Sequence, residues 1–196
     1  MGKILVQTRI IERFCPPGDG ICLDLGCGEG PYKDLLIKRG YTYIGLDIKH
    51  QGGIKDFILG DAHRLPFRRA SVKLVLATHV LEHLLNPQKV VDEVYQILEN
   101  KGKFIIIVPF AHPPHGDYFR FTELGLLYIL RRFKIVVLKP AGGIFTVLGI
   151  VMGNLVAKIF GKDSIIRFVR DSFSRLDNEL TSYVLPSSYF VLAVKE

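Results

Sequence analysis

The sequence predicts an α/β domain built on a doubly wound, mostly parallel sheet. Two observations carry this. Short aliphatic runs with little polar alternation recur between helix-like stretches, the pattern of strands buried on both faces. The first run ends in a glycine cluster, Gly26-Cys27-Gly28-Glu29-Gly30, that leads into a helix, and open α/β sheets admit ligands at such a turn. A length of 196 residues, 48% of them hydrophobic, suits a single domain with a sizeable core, so residues 1–196 are read as one unit.

Ile4 to Phe14 has helical spacing of apolar residues, and Pro16, Pro17, Gly18 and Gly20 end it. Ile21 to Leu25 is the first strand, and Tyr32 to Arg39 is a helix closed by Gly40. Tyr41 to Leu46 is the second strand, ending at Asp47; Ile54 to Leu59 is the third, ending at Gly60-Asp61; Val72 to Ala77 is the fourth. Pro87 to Leu98 places Val90, Val91, Val94 and Leu98 on one side of a helix, and Phe104 to Val108 follows as the fifth strand. Thr122 to Arg132 is a helix, Phe133 to Leu138 the sixth strand and Ser188 to Val194 the seventh. Seven strands with helices on both faces make a Rossmann-like sheet. Residues 140–187 are too long for a bare connection, so a mainly helical insertion before the last strand is expected there.

Composition narrows the function. Three cysteines, Cys15, Cys22 and Cys27, form no C-x-x-C pair, which argues against a disulfide scaffold or a cysteine zinc finger. The first residues lack an apolar signal core, because Lys3, Arg9, Glu12 and Arg13 interrupt the aliphatics, and a cytoplasmic setting is expected. The net charge of +7 is spread evenly, +3 in residues 1–110 and +4 in residues 111–196. Direct nucleic-acid binding is therefore not favoured, since it calls for a concentrated basic patch.

At the glycine turn stand Asp24, Gly26, Gly28 and Gly30. Asp47, at the end of the second strand, sits where a carboxylate accepts both hydroxyls of a ribose. Asp61, at the end of the third, is placed to accept from an exocyclic amine. A dinucleotide site would use G-x-G-x-x-G, with the pyrophosphate on the helix N-terminus. Here the third glycine comes one residue early, position 31 is proline, and Glu29 within the loop repels phosphate. The pattern points to a nucleoside with a zwitterionic or cationic tail.

LDLGCGEG (Leu23 to Gly30), GLDI (Gly45 to Ile48), GDAHRLPF (Gly60 to Phe67), VKLVLATHVLEHL (Val72 to Leu84) and LENKGKFIIIVP (Leu98 to Pro109) together resemble the successive motifs of class I S-adenosylmethionine-dependent methyltransferases. The resemblance covers roughly residues 20–138 and implies a cofactor-binding core there, with S-adenosylmethionine as cofactor. It implies that Gly26, Gly28 and Gly30 pass under the methionine portion and that Asp24 lies near its ammonium. It further assigns Asp47, with Ile48 beside it, to the ribose, Asp61 to the adenine amine and Ala62 to the ring edge, while Ala77, Thr78 and His79 line the methyl-donor end.

His79-Val80-Leu81-Glu82-His83 also spells H-x-x-E-H, in which two histidines four apart on a helix bind zinc. A strand ends just before His79 and Asn86-Pro87 follow at once, so the helix that motif needs is missing. A further ligand would have to come from His112, His115 or Asp117. No metal is expected, and Glu82 and His83 are read as holding the turn by hydrogen bonds. The loop HPPHGDYFRFT, His112 to Thr122, follows the fifth strand and lies over the same end of the sheet. It resembles a D-Y-F-R-[YF]-T signature in a subset of these methyltransferases. Arg120 is expected to be tied to a carboxylate and Thr122 to cap a helix, with His115, Asp117 and Tyr118 as acceptor contacts. If the acceptor is a hydroxyl or phenol, His79 or His115 would take its proton.

Pro140 to Ala157 carries no charge, and Gly149 and Gly153 form G-x-x-x-G. Eighteen residues including four glycines and Asn154 fall short of the roughly 20 apolar residues of a span. In the next segment Ile165, Phe168, Val169, Phe173 and Leu176 share one helical side, with Arg167, Arg170 and Arg175 elsewhere. Core packing, a substrate cover, a homodimer face and membrane-surface contact through 140–176 are the roles these residues admit. The acceptor expected is a small molecule; RNA or protein methylation is the alternative, followed by zinc hydrolysis and a non-catalytic binding module.

Overall fold

The computed structural model describes residues 5–196 except 51, 52, 114, 161, 162 and 178. The chain begins with α1 (Leu5–Phe14), β1 (Ile21–Leu25), α2 (Lys33–Lys38), β2 (Thr42–Asp47), β3 (Phe57–Leu59) and β4 (Val72–Thr78). A 3-10 turn (Leu81–His83), α3 (Pro87–Ile97), β5 (Leu98–Pro109), α4 (Glu123–Ile129) and β6 (Lys134–Pro140) follow, then α5 (Ile144–Phe160), α6 (Asp163–Ser174), α7 (Glu179–Val184) and β7 (Ser188–Val194). The seven strands form one sheet in the order β3-β2-β1-β4-β5-β7-β6. Neighbours from β3 to β5 pair in parallel, and β7 runs antiparallel between β5 and β6. The order reverses between β1 and β4, which opens a crevice at their carboxyl ends.

Side chains alternate across the sheet. Val75 and Ala77 of β4 join Val90, Val91 and Val94 of α3 on one face, while Leu74 and Leu76 join Ile10 and Ile11 of α1 and Leu36 of α2 on the other. Helix α3 starts where its sequence says, with the Asn86 side chain accepting from the Lys89 N–H at 3.0 Å and Pro87 in the first turn. The three cysteines are buried and unpaired.

Several boundaries differ from the sequence reading. The fifth strand begins at Leu98, not Phe104: Leu98 pairs with Val72, a register shift follows, and Lys101 takes a φ of +64° before regular pairing resumes at Lys103. This polar, glycine-containing stretch is a bulged strand end. Only Phe57 to Leu59 of the third run is strand; Ile54 instead packs beneath Gly30. The first helix is described from Leu5, and Ile4 lies outside the described residues.

Between β6 and β7 stand α5, α6 and α7. Gly149 of α5 lets α6 approach, since a Cβ there would lie 2.7 Å from the Cβ of Phe173. The carboxylate of Asp177 accepts from the N–H groups of Gly143, Phe145 and Thr146 at 2.8, 3.1 and 2.8 Å, capping the start of α5 from a distance. The stripe expected on α6 is not one buried face: Phe168 and Leu176 are exposed, and the side chains of Ile165 and Arg167 lie outside the described residues. On α5, Leu148, Val151, Met152 and Leu155 are also exposed. Among the described residues no helix is long and apolar enough to cross a membrane.

Candidate active site

The loop after β1 is locked by its neighbour strand, the N–H groups of Gly26 and Cys27 both donating to the Leu46 carbonyl at 2.7 and 3.2 Å. Gly26 has a φ of +64°, and a side chain there would collide with Val80. At Gly28, φ is +52° and a Cβ would meet nothing within 4 Å, so this bend passes an open space with bare backbone. The Gly28 N–H donates to Asp47 Oδ2 at 3.0 Å and the Lys49 N–H to Asp47 Oδ1 at 3.2 Å, which fixes the carboxylate at the tip of β2. Asp61 is fixed likewise, its Oδ1 accepting from the His63 backbone and ring at 2.9 and 2.7 Å. These hydrogen bonds hold its carboxyl below the usual carboxylate range.

A cavity of about 300 Å³ opens between these elements, lined among others by Gly26, Asp47, Ile48, Asp61, Ala62 and His79. Its size meets the lower end of small-molecule sites. Two fixed carboxylates at the tips of β2 and β3, with bare backbone between β1 and α2, fit a ribonucleoside whose other end is cationic. Asp24 lies deeper, 1% exposed, accepting from the Tyr43 hydroxyl at 2.9 Å. Burial, with the charge of Asp47 adding to it and the Tyr43 bond opposing it, raises the Asp24 carboxyl from 3.8 to about 7. Ala77 is sealed in the core, and Thr78 is hydrogen-bonded with Tyr32; neither is among the residues lining the cavity.

On the other side of the cavity the chain turns sharply. His79 is a non-glycine residue at φ +56°, its N–H donating to the Ile107 carbonyl at 2.8 Å. The turn that follows is three residues long, so His79 and His83 do not share a helix. The 112–122 loop is pinned to this turn: the N–H groups of Tyr118 and Phe119 donate to the Glu82 carbonyl at 2.7 and 3.1 Å, and His83 Nδ1 meets the Gly116 carbonyl at 3.1 Å. His115 thereby comes to His79 and Glu82. Glu82 does hold the turn, but through its carbonyl. Its carboxylate is fully buried, and neither oxygen has a hydrogen-bond partner.

Arg120 is tied to Asp117, as expected, and the Thr122 side chain caps α4 by accepting from the Gly125 N–H at 3.1 Å. Asp117, which also accepts from the His115 N–H at 3.1 Å, is held well below the usual range, chiefly by Arg120. That engagement turns Asp117 toward its own loop, and the Tyr118 side chain is exposed. The sequence reading missed Gln7. Its amide nitrogen lies 2.6 Å from His79 Nε2, and the residue is 4% exposed. The signal was present: Gln7 interrupts the stripe it shares with Ile10, Ile11 and Phe14 of α1.

The fold and this crevice define a class: doubly wound α/β domains with a cavity at the carboxyl ends of the strands. Residues 23–106 match the model of the methyltransferase domain family. A probable S-adenosylmethionine-dependent methyltransferase of Mycolicibacterium smegmatis is 32% identical over 113 residues, 54% of this chain and 43% of that protein. A demethylmenaquinone methyltransferase of Renibacterium salmoninarum is 28% identical over 110 residues, 52% of this chain and 46% of that protein. The matched segment thus spans under half the length of these relatives. The crystal structure of a S-adenosylmethionine-dependent methyltransferase from Archaeoglobus fulgidus shares the fold, with a TM-score of 0.68 at 18% identity over 99% of this chain and 95% of that one. Over residues 23–106 the chain is thus similar to S-adenosylmethionine-dependent methyltransferases, and over nearly its whole length it has the fold of solved members of that class.

Proposed function

We propose that this protein transfers a methyl group from S-adenosylmethionine to a small-molecule acceptor by in-line displacement. The observation that carries the reading is the cavity with Asp47 and Asp61 fixed at adjacent strand tips and Gly26 to Gly30 passing as bare backbone. Asp47 takes the ribose hydroxyls, with Ile48 beside them, and Asp61 the adenine amine against Ala62. Gly26, Gly28 and Gly30 run under the methionine portion, with Asp24 beneath its ammonium. When bound, the cofactor supplies an electrophilic methyl on a sulfonium. The protein's part is to hold donor and nucleophile in near-attack geometry and keep water out. The turn at His79 forms the wall at that end, with Thr78 and the buried Ala77 behind it in β4, and Val80 and Leu84 make part of the cavity apolar.

The acceptor side is covered by the 112–122 loop and by α1 through Gln7, and the net charge of +7 is spread over both halves of the sequence, which supports a small molecule. One relative is named for demethylmenaquinone, a small acceptor. For a hydroxyl acceptor, His79 or His115 receives the proton, with Asp117 and Tyr118 setting the loop that bears His115. The test is thermal unfolding with S-adenosylhomocysteine. At one hundred times its dissociation constant a ligand adds about 2.7 kcal/mol, and each kcal/mol moves the melting point of a chain this size by about 2–4 °C. A rise of several degrees is expected; no rise, or a rise with NAD instead, refutes the reading. RNA as acceptor would show as binding that weakens about a thousandfold between roughly 50 and 200 mM salt.

A further inference from the structure

Among the described residues the buried carboxylate of Glu82 accepts no hydrogen bond, and the groups facing it are ring nitrogens. His79 Nδ1 stands 3.2 Å from Glu82 Oε1, and His115 Nε2 stands 3.9 Å from the same oxygen. Neither ring nitrogen has a hydrogen-bond partner, nor has either oxygen of Glu82. A buried, unpaired carboxylate carries a large desolvation cost, so what completes this group decides what it is for.

The tautomers point to the answer. His115 Nδ1 lies 3.2 Å from the Pro113 carbonyl, and His83 Nδ1 lies 3.1 Å from the Gly116 carbonyl. Carbonyls accept, so these Nδ1 atoms carry hydrogens, and in the neutral ring both Nε2 atoms carry lone pairs. His83 Nε2, like His115 Nε2, is 3.9 Å from Glu82 Oε1. Lone pairs therefore face a carboxylate. A separation of 3.9 Å is beyond hydrogen-bond reach, so a proton on either side does not join them, whereas a cation between them satisfies both.

We infer that His79, Glu82 and His115 form a binding site for a divalent transition-metal ion. One ligand atom from each lies within 4.8 Å of the other two. Ligands held at about 2.0–2.1 Å from a zinc-type ion stand roughly 3–3.5 Å apart, so side-chain adjustment alone closes the set. The outer shell is also present, for metal-bound histidines give their second nitrogen to a carbonyl, carboxylate or amide. His115 has Pro113, with Asp117 Oδ1 at 3.5 Å. His79 has the Gln7 amide nitrogen 2.6 Å from its Nε2; as placed, that nitrogen donates to Nε2, so ligation through Nδ1 requires the amide turned end for end, its oxygen then accepting from an Nε2–H. Two imidazoles with one carboxylate select zinc, iron(II), cobalt(II) or nickel(II) over magnesium and calcium. The left-handed backbone at His79 is what swings its ring to this point, an instance of strain held at a working site.

His79 and His83 also line the cavity, so an ion held by His79 would border it. On the methyl-transfer reading, on which this part rests, the ion takes an acceptor oxygen as its next ligand. The hydroxyl proton leaves to solvent, the oxygen attacks the methyl carbon, and the carbon–sulfur bond breaks to leave the thioether. In that form His79 and His115 are ligands, and proton removal falls to the ion and solvent. This differs from the zinc-protease pattern, because the glutamate is here a ligand and the third ligand comes from a loop 32 residues downstream of His83.

The experiment is a titration of cobalt(II) into the full chain, prepared without a histidine tag and stripped with chelator, read by its visible d–d absorption and by metal content after dialysis. The expected result is saturation at one ion per chain. His115→Ala and Glu82→Gln each lower affinity by more than about a hundredfold, beyond the 10–100-fold cost of losing an outer-shell partner, which is the loss expected for Gln7→Ala. His115 lies on a loop, so that variant stays informative even if the buried Glu82→Gln change prevents folding. The S-adenosylhomocysteine melting shift, measured without metal on the same proteins, shows that the crevice is intact. Failure of wild type to retain one ion, or equal retention by His115→Ala, overturns the metal site. Ion retention without a cofactor shift leaves the metal site standing and removes the methyl-transfer reading.

Discussion

The two walls of the cavity are finished to different degrees. On the strand-tip wall, the oxygens of Asp47 already accept backbone N–H groups, and Asp61 is held by His63. On the histidine wall, Glu82 has no partner on either oxygen, and ring nitrogens of His79, His112 and His115 are buried without one. One wall is rigid before anything binds; the other is completed by what binds. Buried polar groups are ordinarily satisfied, so the unsatisfied wall is where a ligand makes the larger structural difference.

Behind the strand-tip wall, where His63 Nε2 is the buried atom left without a partner among the described residues, Asp24 offers the largest effect. Its carboxyl is raised in the folded protein from 3.8 to about 7, mainly by burial. The folded state therefore holds a proton that the unfolded state releases above about pH 4. Stability from this group is fully present below the unfolded value and is lost as pH rises through the folded one. Three units correspond to about 4 kcal/mol. Asp24→Asn, which keeps an acceptor for Tyr43, escapes that loss. Denaturant unfolding at pH 5 and pH 8 is expected to show the variant gaining on wild type by about 2.5 kcal/mol, the part of the loss that falls between pH 5 and the folded value. Parallel curves would mean that the carboxyl is solvated or paired in the folded protein.

The next effect measures the finished wall itself. Asp47→Ala removes the acceptor proposed for two hydroxyls, and S-adenosylhomocysteine affinity is expected to fall by about 1.5–3 kcal/mol, the range for hydrogen bonds to a charged group. Calorimetry on the folded variant checks it. Unchanged affinity would assign Asp47 to anchoring Gly28 alone.

The finished wall was the legible one. Its parts are local: aliphatic runs ending in Gly26, Asp47 and Asp61, with the glycine spacing and the acids each at a strand end. A strand's carboxyl end fixes where such residues stand, so sequence order is enough. The histidine wall joins parts distant in sequence, namely Gln7, His79, Glu82 and His115, and no periodicity links them. The H-x-x-E-H spelling drew attention to the right turn with the wrong geometry, because ligation through it does not need a helix once a downstream loop supplies His115. Residues 98–103 were misplaced for a related reason. Glu99, Asn100, Lys101 and Gly102 read locally as a turn, yet the pairing of Leu98 with Val72 on one side and the Lys101 N–H donating to the Lys195 carbonyl on the other keep them in the strand as a bulge.

The smallest expected effect is the sharpest on whether the walls act separately. His115 meets Glu82, the rings of His79 and His83 and its own loop, but is not itself among the residues lining the cavity with Gly26, Asp47 and Asp61. Sites that share no partners contribute additively within about 0.5 kcal/mol. His115→Ala is therefore expected to leave S-adenosylhomocysteine affinity unchanged to within about 0.5 kcal/mol while lowering methyl transfer, with Tyr118→Phe, altering an exposed hydroxyl, lowering it less. Calorimetry and turnover of labelled methyl on the same preparations give both numbers. Because the loop bearing His115 is bound to the carbonyl of Glu82, and the Glu82 turn follows directly from the His79 bend that borders the donor, there is one route by which the two could couple. A fall in cofactor affinity matching the fall in turnover would show that this route carries strain from one wall to the other, and that the cavity is a single cooperative unit.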